Sequence, residues 1–167
     1  MSESEFTAGL VYVDVNLLTG NSEKEIAGLK KKLHKMFTIK DLGLAKYFMG
    51  IENNKEAVGI KLNLRKYILD MLRDSKMATV KLVNTPMMPN LKLKKDGEKI
   101  LDDVSIYRRL VGRLLYLTVT KLDISYIVQQ LSKFVNLLTQ DHLNVAKHVL
   151  KYLKGTLLHD LFYPKQT

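Results

Sequence analysis

The segment with the most direct potential for chemistry is residues 10–20, LVYVDVNLLTG, which contains the carboxylate of Asp14. Alternating apolar residues on both sides predict two short strands that turn at Asp14 and Val15. A carboxylate at a hairpin tip can bind a divalent cation, and two adjacent carboxylates can hold a pair of cations. Val15, however, has no oxygen to offer a metal. An aspartate in an ordinary hairpin turn explains the same pattern without any chemistry.

Other residue types that often perform chemistry lack a usable spacing. His142 and His148 would point to different sides of a helix, and no histidine pair has a metal-ligand spacing. We expect all four histidines at the surface: His34, His142, His148 and His159. The paired acids Asp102 and Asp103 precede a predicted helix, where a favourable interaction with the helix dipole explains them. No glycine-rich phosphate loop is present, and the absence of cysteine excludes disulfides and thiolate zinc sites.

Short sequence segments along most of the chain are informative when taken together. The first is Tyr12-Val13-Asp14-Val15. The others are residues 20–22 (GNS), 39–43 (IKDLG), 45–52 (AKYFMGIE), 66–70 (KYILD), 85–87 (TPM), 107–112 (YRRLVG), 116–118 (YLT), 123–126 (DISY) and 150–156 (LKYLKGT). In order and spacing, from about residue 10 to residue 163, this series resembles the copia type of retrotransposon reverse transcriptase. The first segment differs only at its last position from the tyrosine-x-Asp-Asp hairpin of those enzymes.

The resemblance implies descent from an RNA-directed DNA polymerase that extends a DNA primer on an RNA template. In active members, the adjacent carboxylates of the hairpin help to hold Mg²⁺ or Mn²⁺, so Asp14 would be the remnant of a catalytic and metal-binding pair. A later hairpin would include the primer grip, which holds the end of the growing strand against the carboxylates. The matching positions are Phe48, Met49, Gly50 and Ile51. Gly50 suits either a close backbone approach or a bulge within a strand.

Several departures from the family predict that the chain alone does not polymerise. Val15 removes one carboxylate, and the family's upstream metal-binding aspartate, its fingers and its following RNase H domain lie outside this sequence. Lys121-Leu122 replaces the usual Arg-Pro, and Arg113 stands where a small residue is usual, which suggests drift under relaxed selection. We therefore expect no cofactor in this chain and at best weak metal binding by Asp14. We also expect the Val15→Asp substitution to leave the chain inactive.

The net charge of +10 lies entirely in the second part of the chain. Residues 1–60 hold eight lysines and eight acids, whereas residues 61–167 hold 19 lysines and arginines against nine acids. Such a surplus matches a phosphate backbone, although a solvated lysine-rich surface explains it equally well. Together with the resemblance, the charge favours nucleic acid as the partner, either an RNA–DNA hybrid or RNA. The candidate contact residues are Arg65, Lys66, Arg108, Arg109, Arg113, Lys147, Lys151 and Lys154.

The hydrophobic spacing predicts an α+β fold, with antiparallel hairpins and a packed helix followed by an all-helical lobe. The resemblance implies that the hairpins are of the palm type and that the helical lobe is a thumb and connection. Ser22 and Glu25 have the form of a capping box at the start of the first helix. We expect this helix to pack on the first hairpin through one face, which holds Ile26, Leu29, Leu33 and Met36 or Phe37. A second hairpin is predicted from strands at residues 46–52 and 59–63 around a polar turn at 53–56.

Four further helices are predicted from apolar residues at helical spacing. They cover residues 64–76, 105–118, 123–138 and 141–154, with Gly155 as the C-cap of the last one. Two prolines and mixed charge predict a long connection at residues 78–103. With these elements, the resemblance implies a partial palm over residues 1–63 and a basic helical thumb and connection region over residues 64–167.

Partner and location expectations follow from what the sequence lacks. No apolar run approaches the roughly 20 residues of a membrane span, and no signal peptide is seen, so we expect an intracellular protein of the cytoplasm or nucleus without a membrane partner. An unpaired edge of the first hairpin would favour self-association. Two alternatives to a truncated, inactive reverse transcriptase remain open. One is a non-catalytic nucleic-acid-binding module, and the other is an effector-like interaction fragment, although Val111 stands where the RxLR motif of such effectors requires arginine.

Overall fold

The computed structural model describes residues 5–89, 91, 93, 103–134 and 138–165. It contains antiparallel strands and helices, so the predicted α+β class is confirmed. The chain divides into two compact units, Met1–Phe48 and Met49–Thr167. This division falls earlier than the proposed boundary after residue 63. The difference arises because strand β5 (Gly59–Asn63) pairs with strand β6 (Leu161–Pro164), which ties the second hairpin to the helical unit.

The first unit begins with an antiparallel hairpin of β1 (Thr7–Tyr12) and β2 (Val15–Gly20). Its register runs from the pair Thr7 and Gly20 to the pair Tyr12 and Val15. The two-residue turn therefore lies at Val13 and Asp14, one residue earlier than predicted. Val15 is the first residue of β2 rather than a turn residue.

Helix α1 (Glu23–Met36) follows the hairpin and contacts β2. The Ser22 part of the predicted capping box is confirmed, because the Ser22 side chain accepts a hydrogen bond from the Glu25 backbone N–H. Met36 and Phe37 are 73% and 58% exposed, so their predicted place on the packed face is wrong. The helix ends at Met36, and Phe37 turns the chain into extended conformation. The short strand β3 (Tyr47–Phe48) ends the unit.

The second unit contains the antiparallel strands β4 (Ile51–Glu56) and β5 near its start and β6 at its end. The predicted polar turn at residues 53–56 is wrong, because these residues belong to β4 and pair with β5 as far as Glu56 and Gly59. The turn consists of two residues, Ala57 and Val58. Strand β6 was not predicted. At Gly59 a Cβ atom would collide with the Tyr163 backbone, so glycine permits the close approach of β5 and β6.

The predicted helices of the second unit are present with adjusted ends. The helix predicted at 123–138 consists of a 3₁₀ turn (Leu122–Ile124) and a helix that ends at Ser132, and residues 135–137 lie outside the described residues. Gly155 is the last residue of the final helix rather than its cap, and Thr156 is the C-cap. The helices are α2 (Arg65–Asp74), α3 (Val104–Leu117), α4 (Ser125–Ser132) and α5 (Gln140–Gly155). Residues 78–89 contain no helix or strand, and most of the rest of the predicted connection lies outside the described residues.

One hydrophobic core holds the second unit together. The Tyr107 ring is fully buried, and its hydroxyl donates to the Leu131 carbonyl at 2.7 Å. Burial raises the pKa of Tyr107. Other buried members occupy the faces predicted from helical spacing: Leu64, Ile68, Met71 and Leu72 before α3, Leu110, Val111 and Leu114 on α3, and Ala146, Val149, Leu150 and Leu153 on α5.

His142 belongs to this core, so its predicted surface position is wrong. The side chain is 1% exposed, and its ring lies 4.4 Å from the Phe134 ring, centroid to centroid. Its Nδ1 accepts a hydrogen bond from the Thr139 backbone N–H at 3.2 Å, which forms a capping box at the start of α5. Burial lowers the pKa of His142. Histidine thus takes the place that glutamate or glutamine usually has in this motif.

None of the helices described in residues 5–165 has both the length and the apolar character that a membrane crossing requires.

Candidate nucleic-acid interface

The tip of the first hairpin carries one carboxylate. Asp14 is exposed in the turn, beside Val13 with a φ of +47°. A β-branched residue strongly disfavours positive φ, so the backbone at this tip is strained. Val15 pairs with Tyr12 at the first position of β2, where a second carboxylate of the tyrosine-x-Asp-Asp motif would lie. Within the described part of the chain, no three His, Cys, Asp or Glu side chains are grouped closely enough to hold a metal.

The four primer-grip-like residues form the junction of β3 and β4. Phe48 ends β3 and Ile51 begins β4, where it packs against the core. Between them, Met49 and Gly50 both have positive φ, +51° and +82°. Gly50 is therefore neither a bulge nor a strand residue but the second residue of a tight turn, which accounts for glycine there. A Cβ at Gly50 would meet the Tyr67 ring at an ordinary 3.8 Å, so crowding is not the reason for glycine.

Helix α3 holds this turn through a tyrosine. The Tyr116 hydroxyl donates a hydrogen bond to the Met49 carbonyl. The Tyr116 ring meets the Tyr67 ring edge to face, with a centroid distance of 5.1 Å and an interplanar angle of 61°. Neither tyrosine was predicted as a site residue, although both lie in segments that resemble the family. The sequence shows these residues but not their contact, because they come from different helices.

Arg113 extends the same cluster. Its Nη1 lies 2.6 Å from the Asp74 carboxylate at the end of α2, and its guanidinium carbon lies 5.2 Å from the centroid of the Tyr67 ring. The side chain is only 24% exposed. Arg113 was predicted to contact nucleic acid, but its charge is already matched by Asp74. We call Tyr67, Tyr116, Arg113 and Asp74 the tyrosine brace.

The remaining predicted contact residues lie in three groups, one on each of three helices. Arg65 and Lys66 are exposed in the first turn of α2, and Arg108 and Arg109 are exposed on α3. Lys147, Lys151 and Lys154 share one face of α5 and are partly buried. The Lys154 Nζ donates to the Val80 carbonyl at 2.9 Å, so this lysine has a structural partner. These arginine and lysine side chains are thus exposed on α2 and α3, whereas the three lysines on α5 are only partly exposed.

Comparison with known proteins decides the family. The family model described as reverse transcriptase (RNA-dependent DNA polymerase) matches residues 3–89. This chain belongs to that family. It is 42% identical over 93% of its length to a retrovirus-related Pol polyprotein from transposon RE1 of Arabidopsis thaliana, of which it covers 11%. It is 37% identical over 93% of its length to the Pol polyprotein from transposon TNT 1-94 of Nicotiana tabacum, covering 12% of that protein.

A shorter relative has more comparable length. The chain is 36% identical over 95% of its length to an uncharacterized mitochondrial protein of Arabidopsis thaliana, of which it covers 65%. This reverse transcriptase segment therefore spans about a tenth of the Pol polyproteins it matches. No solved structure matches it. The relatives confirm the resemblance to copia-type Pol polyproteins.

Two of the residues that depart from the family's usual sequence, Arg113 and Lys121, have structural partners in this reverse transcriptase segment. Arg113 belongs to the tyrosine brace, and Lys121 is 4% exposed, with its Nζ donating to the carbonyls of Thr156, at 2.7 Å, and His159. An ammonium at the carboxyl end of α5 interacts favourably with the helix dipole. Burial lowers the pKa of Lys121. These two departures therefore take part in the packing of the second unit.

Proposed function

We propose that this chain is a segment of a copia-type reverse transcriptase that binds nucleic acid but does not polymerise. The observation that carries the proposal is Val15, paired with Tyr12 at the position of a catalytic carboxylate. In-line phosphoryl transfer by two metals requires oxygen ligands that clamp the ions at both the attacking and leaving oxygens. Asp14 supplies one carboxylate at the hairpin tip, and the isopropyl group of Val15 supplies none.

The binding part of the proposal rests on the second unit. Arg65 and Lys66 on α2 and Arg108 and Arg109 on α3 are exposed, and residues 61–167 hold the whole charge surplus of the chain. The turn at Met49 and Gly50 matches the family's primer grip in sequence position. Its inherited ligand is therefore a DNA primer strand on an RNA template. We propose residues 1–63 as a partial palm and residues 64–167 as a thumb and connection region, although β6 joins the two by pairing with β5.

A primer-extension assay tests the catalytic part. The purified chain is incubated with an RNA template, a labelled DNA primer, nucleotides and either Mg²⁺ or Mn²⁺, beside a reverse transcriptase that has both hairpin carboxylates. We expect no extension by the chain and none by the Val15→Asp variant. Templated extension by the chain would overturn the proposal. Extension by the Val15→Asp variant but not by the parent chain would instead show that Val15 alone accounts for the loss of activity.

A binding assay tests the other part. Fluorescence anisotropy of a labelled RNA–DNA hybrid is compared with that of duplex DNA of equal length, at two salt concentrations. We expect tighter binding to the hybrid that persists at the higher salt concentration. Weak, equal binding to both that disappears on adding salt would show that only charge attracts nucleic acid, because a purely electrostatic affinity falls steeply with salt.

Self-association through the first hairpin is a second proposal about partners. In the described residues, β1 and β2 form a two-stranded sheet, and each has one edge without a neighbouring strand. Such an edge can pair with another chain. Several apolar side chains of the hairpin are exposed: Leu10, Val11, Tyr12, Val13 and Val15. We expect light scattering to show a mass that rises with concentration, and a monodisperse monomer at high concentration would contradict the proposal.

A further inference from the structure

The backbone of the turn at Met49 and Gly50 has an unfavourable conformation. Met49 has a Cβ and a long side chain, yet its φ is +51°, and the next residue has a φ of +82°. A non-glycine residue in the left-handed region is conformationally unfavourable, and persists when the surrounding structure imposes it. Contacts from the surrounding structure can therefore help to select this conformation.

The hydroxyl of Tyr116 makes one such contact with the turn. It donates to the Met49 carbonyl, the oxygen that precedes the Gly50 amide, and so restricts rotation of the peptide between the two turn residues. Tyr116 lies in the last turn of α3, whose Leu114 and Leu117 are fully buried. The tyrosine is thus presented by a helix that is anchored in the core on both sides of it.

The rest of the tyrosine brace fixes the ring of Tyr116. Tyr67 contacts it edge to face, and Arg113 covers the Tyr67 ring while its other side is held by Asp74. Stacking and an ion pair on one planar guanidinium restrict the arginine in two directions. Arg113 and Tyr116 are three residues apart on α3, so they approach Tyr67 from the same helix face.

We propose that Tyr116 is a positioning residue that sets the conformation of the Met49–Gly50 turn for contact with the sugar-phosphate backbone of a primer strand, and that Arg113 acts through Tyr67 to hold it. The primer-strand part rests on the proposed function, whereas the control of the turn does not. Met49 is 41% exposed, so its side chain is accessible to a ligand at this turn. Arg113 in this role is a brace rather than a phosphate contact.

The test compares two substitutions that each remove one hydroxyl. Tyr116→Phe removes the hydrogen bond to Met49 but keeps the ring against Tyr67. Tyr152→Phe is the matched control, because the Tyr152 hydroxyl, on α5 of the same unit, also donates a hydrogen bond, in this case to Asp123. Circular dichroism and thermal unfolding establish that both variants fold. Nuclear magnetic resonance then reports the Gly50 amide shift and the Met49 methyl shift in each.

We expect Tyr116→Phe to move both reporter shifts and Tyr152→Phe to leave them unchanged. We also expect Tyr116→Phe to reduce the preference for hybrid over duplex DNA by roughly fivefold, the equilibrium effect of one ordinary hydrogen bond, with the same salt dependence as the parent chain. Unchanged Gly50 and Met49 shifts in a folded Tyr116→Phe variant would overturn the positioning role. So would an equal loss of hybrid preference in both variants.

A conservative change of the arginine tests the brace separately. Arg113→Lys keeps the positive charge but loses the planar group that stacks on Tyr67. We expect it to move the Gly50 amide shift in the same direction as Tyr116→Phe, and to lower hybrid preference without changing the salt dependence. An Arg113→Lys variant whose Gly50 amide shift and hybrid preference equal those of the parent chain would overturn the proposed role of Arg113. If the shifts move but the parent chain has no hybrid preference, the control of the turn is supported and the proposed function fails.

Discussion

Replacement of His142 by glutamine should remove a pH-dependent loss of stability. In the folded chain Nδ1 accepts the Thr139 N–H, so the ring must be neutral at that nitrogen, and a second proton would turn the acceptor into a donor. The ring is also 1% exposed, and its burial lowers its pKa from 6.5. Nearby Asp141 raises the pKa, but desolvation is the larger influence.

The sign and size of the effect follow from proton linkage. Because the folded pKa lies below 6.5, the unfolded chain binds more protons than the folded chain as the pH falls through that value. The stability contributed by neutral His142 is therefore complete above pH 6.5 and decreases below it. Lowering the pH from 7.5 to 5.5 removes at most about 1.4 kcal/mol from the free energy of unfolding, the limit reached when the folded ring stays neutral over that range.

Glutamine keeps the capping interaction without a titrating group. His142→Gln loses the aromatic contact with Phe134, so we expect it to be about 1 kcal/mol less stable at pH 7.5. The assay is urea unfolding followed by circular dichroism at several pH values between 7.5 and 5.5. The stability advantage of the parent chain should shrink as the pH falls, and it should reverse by pH 5.5 if the full loss of about 1.4 kcal/mol occurs. The control is His159→Gln, a substitution of the same type at an exposed position.

A parallel loss of stability in the parent chain and in His142→Gln would refute this reasoning. The other ionisable groups are common to both chains, so their contributions cancel in the difference. A parallel loss would therefore mean that the ring of His142 is equally protonated in the folded and unfolded chains, and that its burial and its bond to Thr139 do not disfavour the charged form.

Three further substitutions test other parts of the structure. Arg109→Gln should lower the slope of log affinity against log salt concentration by about one for a nucleic-acid ligand. Arg113→Gln should leave the slope unchanged, because the charge of Arg113 is matched by an aspartate. Anisotropy titrations measure both slopes, and equal slope changes would contradict the distinction. Lys121→Met should lower the free energy of unfolding by about 2 kcal/mol, since two carbonyls near the end of α5 lose their donor. An unchanged urea midpoint would contradict this role of Lys121. Gly59→Ala should cost about 1–3 kcal/mol through overlap with the Tyr163 backbone, while Gly112→Ala, where a Cβ meets nothing within 4 Å, is the control that should not destabilise the chain.

Local patterns predicted the helices of the second unit well. Apolar residues three and four positions apart bury one face of a helix regardless of what covers it, so the inward residues of α2, α3 and α5 follow from spacing alone. The same rule applies to His142. His142 lies four positions before Ala146 and seven before Val149, on the face that is buried.

The features that the sequence did not predict depend on distant partners. Strand β6 is only four residues long, and its strand character comes from pairing with β5 rather than from its own pattern. The polar residues at 53–56 gave a local turn signal, but pairing with β5 extends β4 through them. In the candidate site, the residue types at positions 67, 113 and 116 were visible, yet their contacts join two helices and a turn, and no spacing rule describes such contacts.

The pairing of Gly59 with Pro164 also has a consequence for synthesis of the chain. At a translation rate of about 5–20 residues per second, β5 emerges on the order of 5–20 s before its outer neighbour. During that interval its outer edge is open to other nascent chains or to chaperones, and loop closure over most of the unit must precede the final pairing. The second unit should therefore complete its sheet as a late event of folding, after the helices between the two strands have formed.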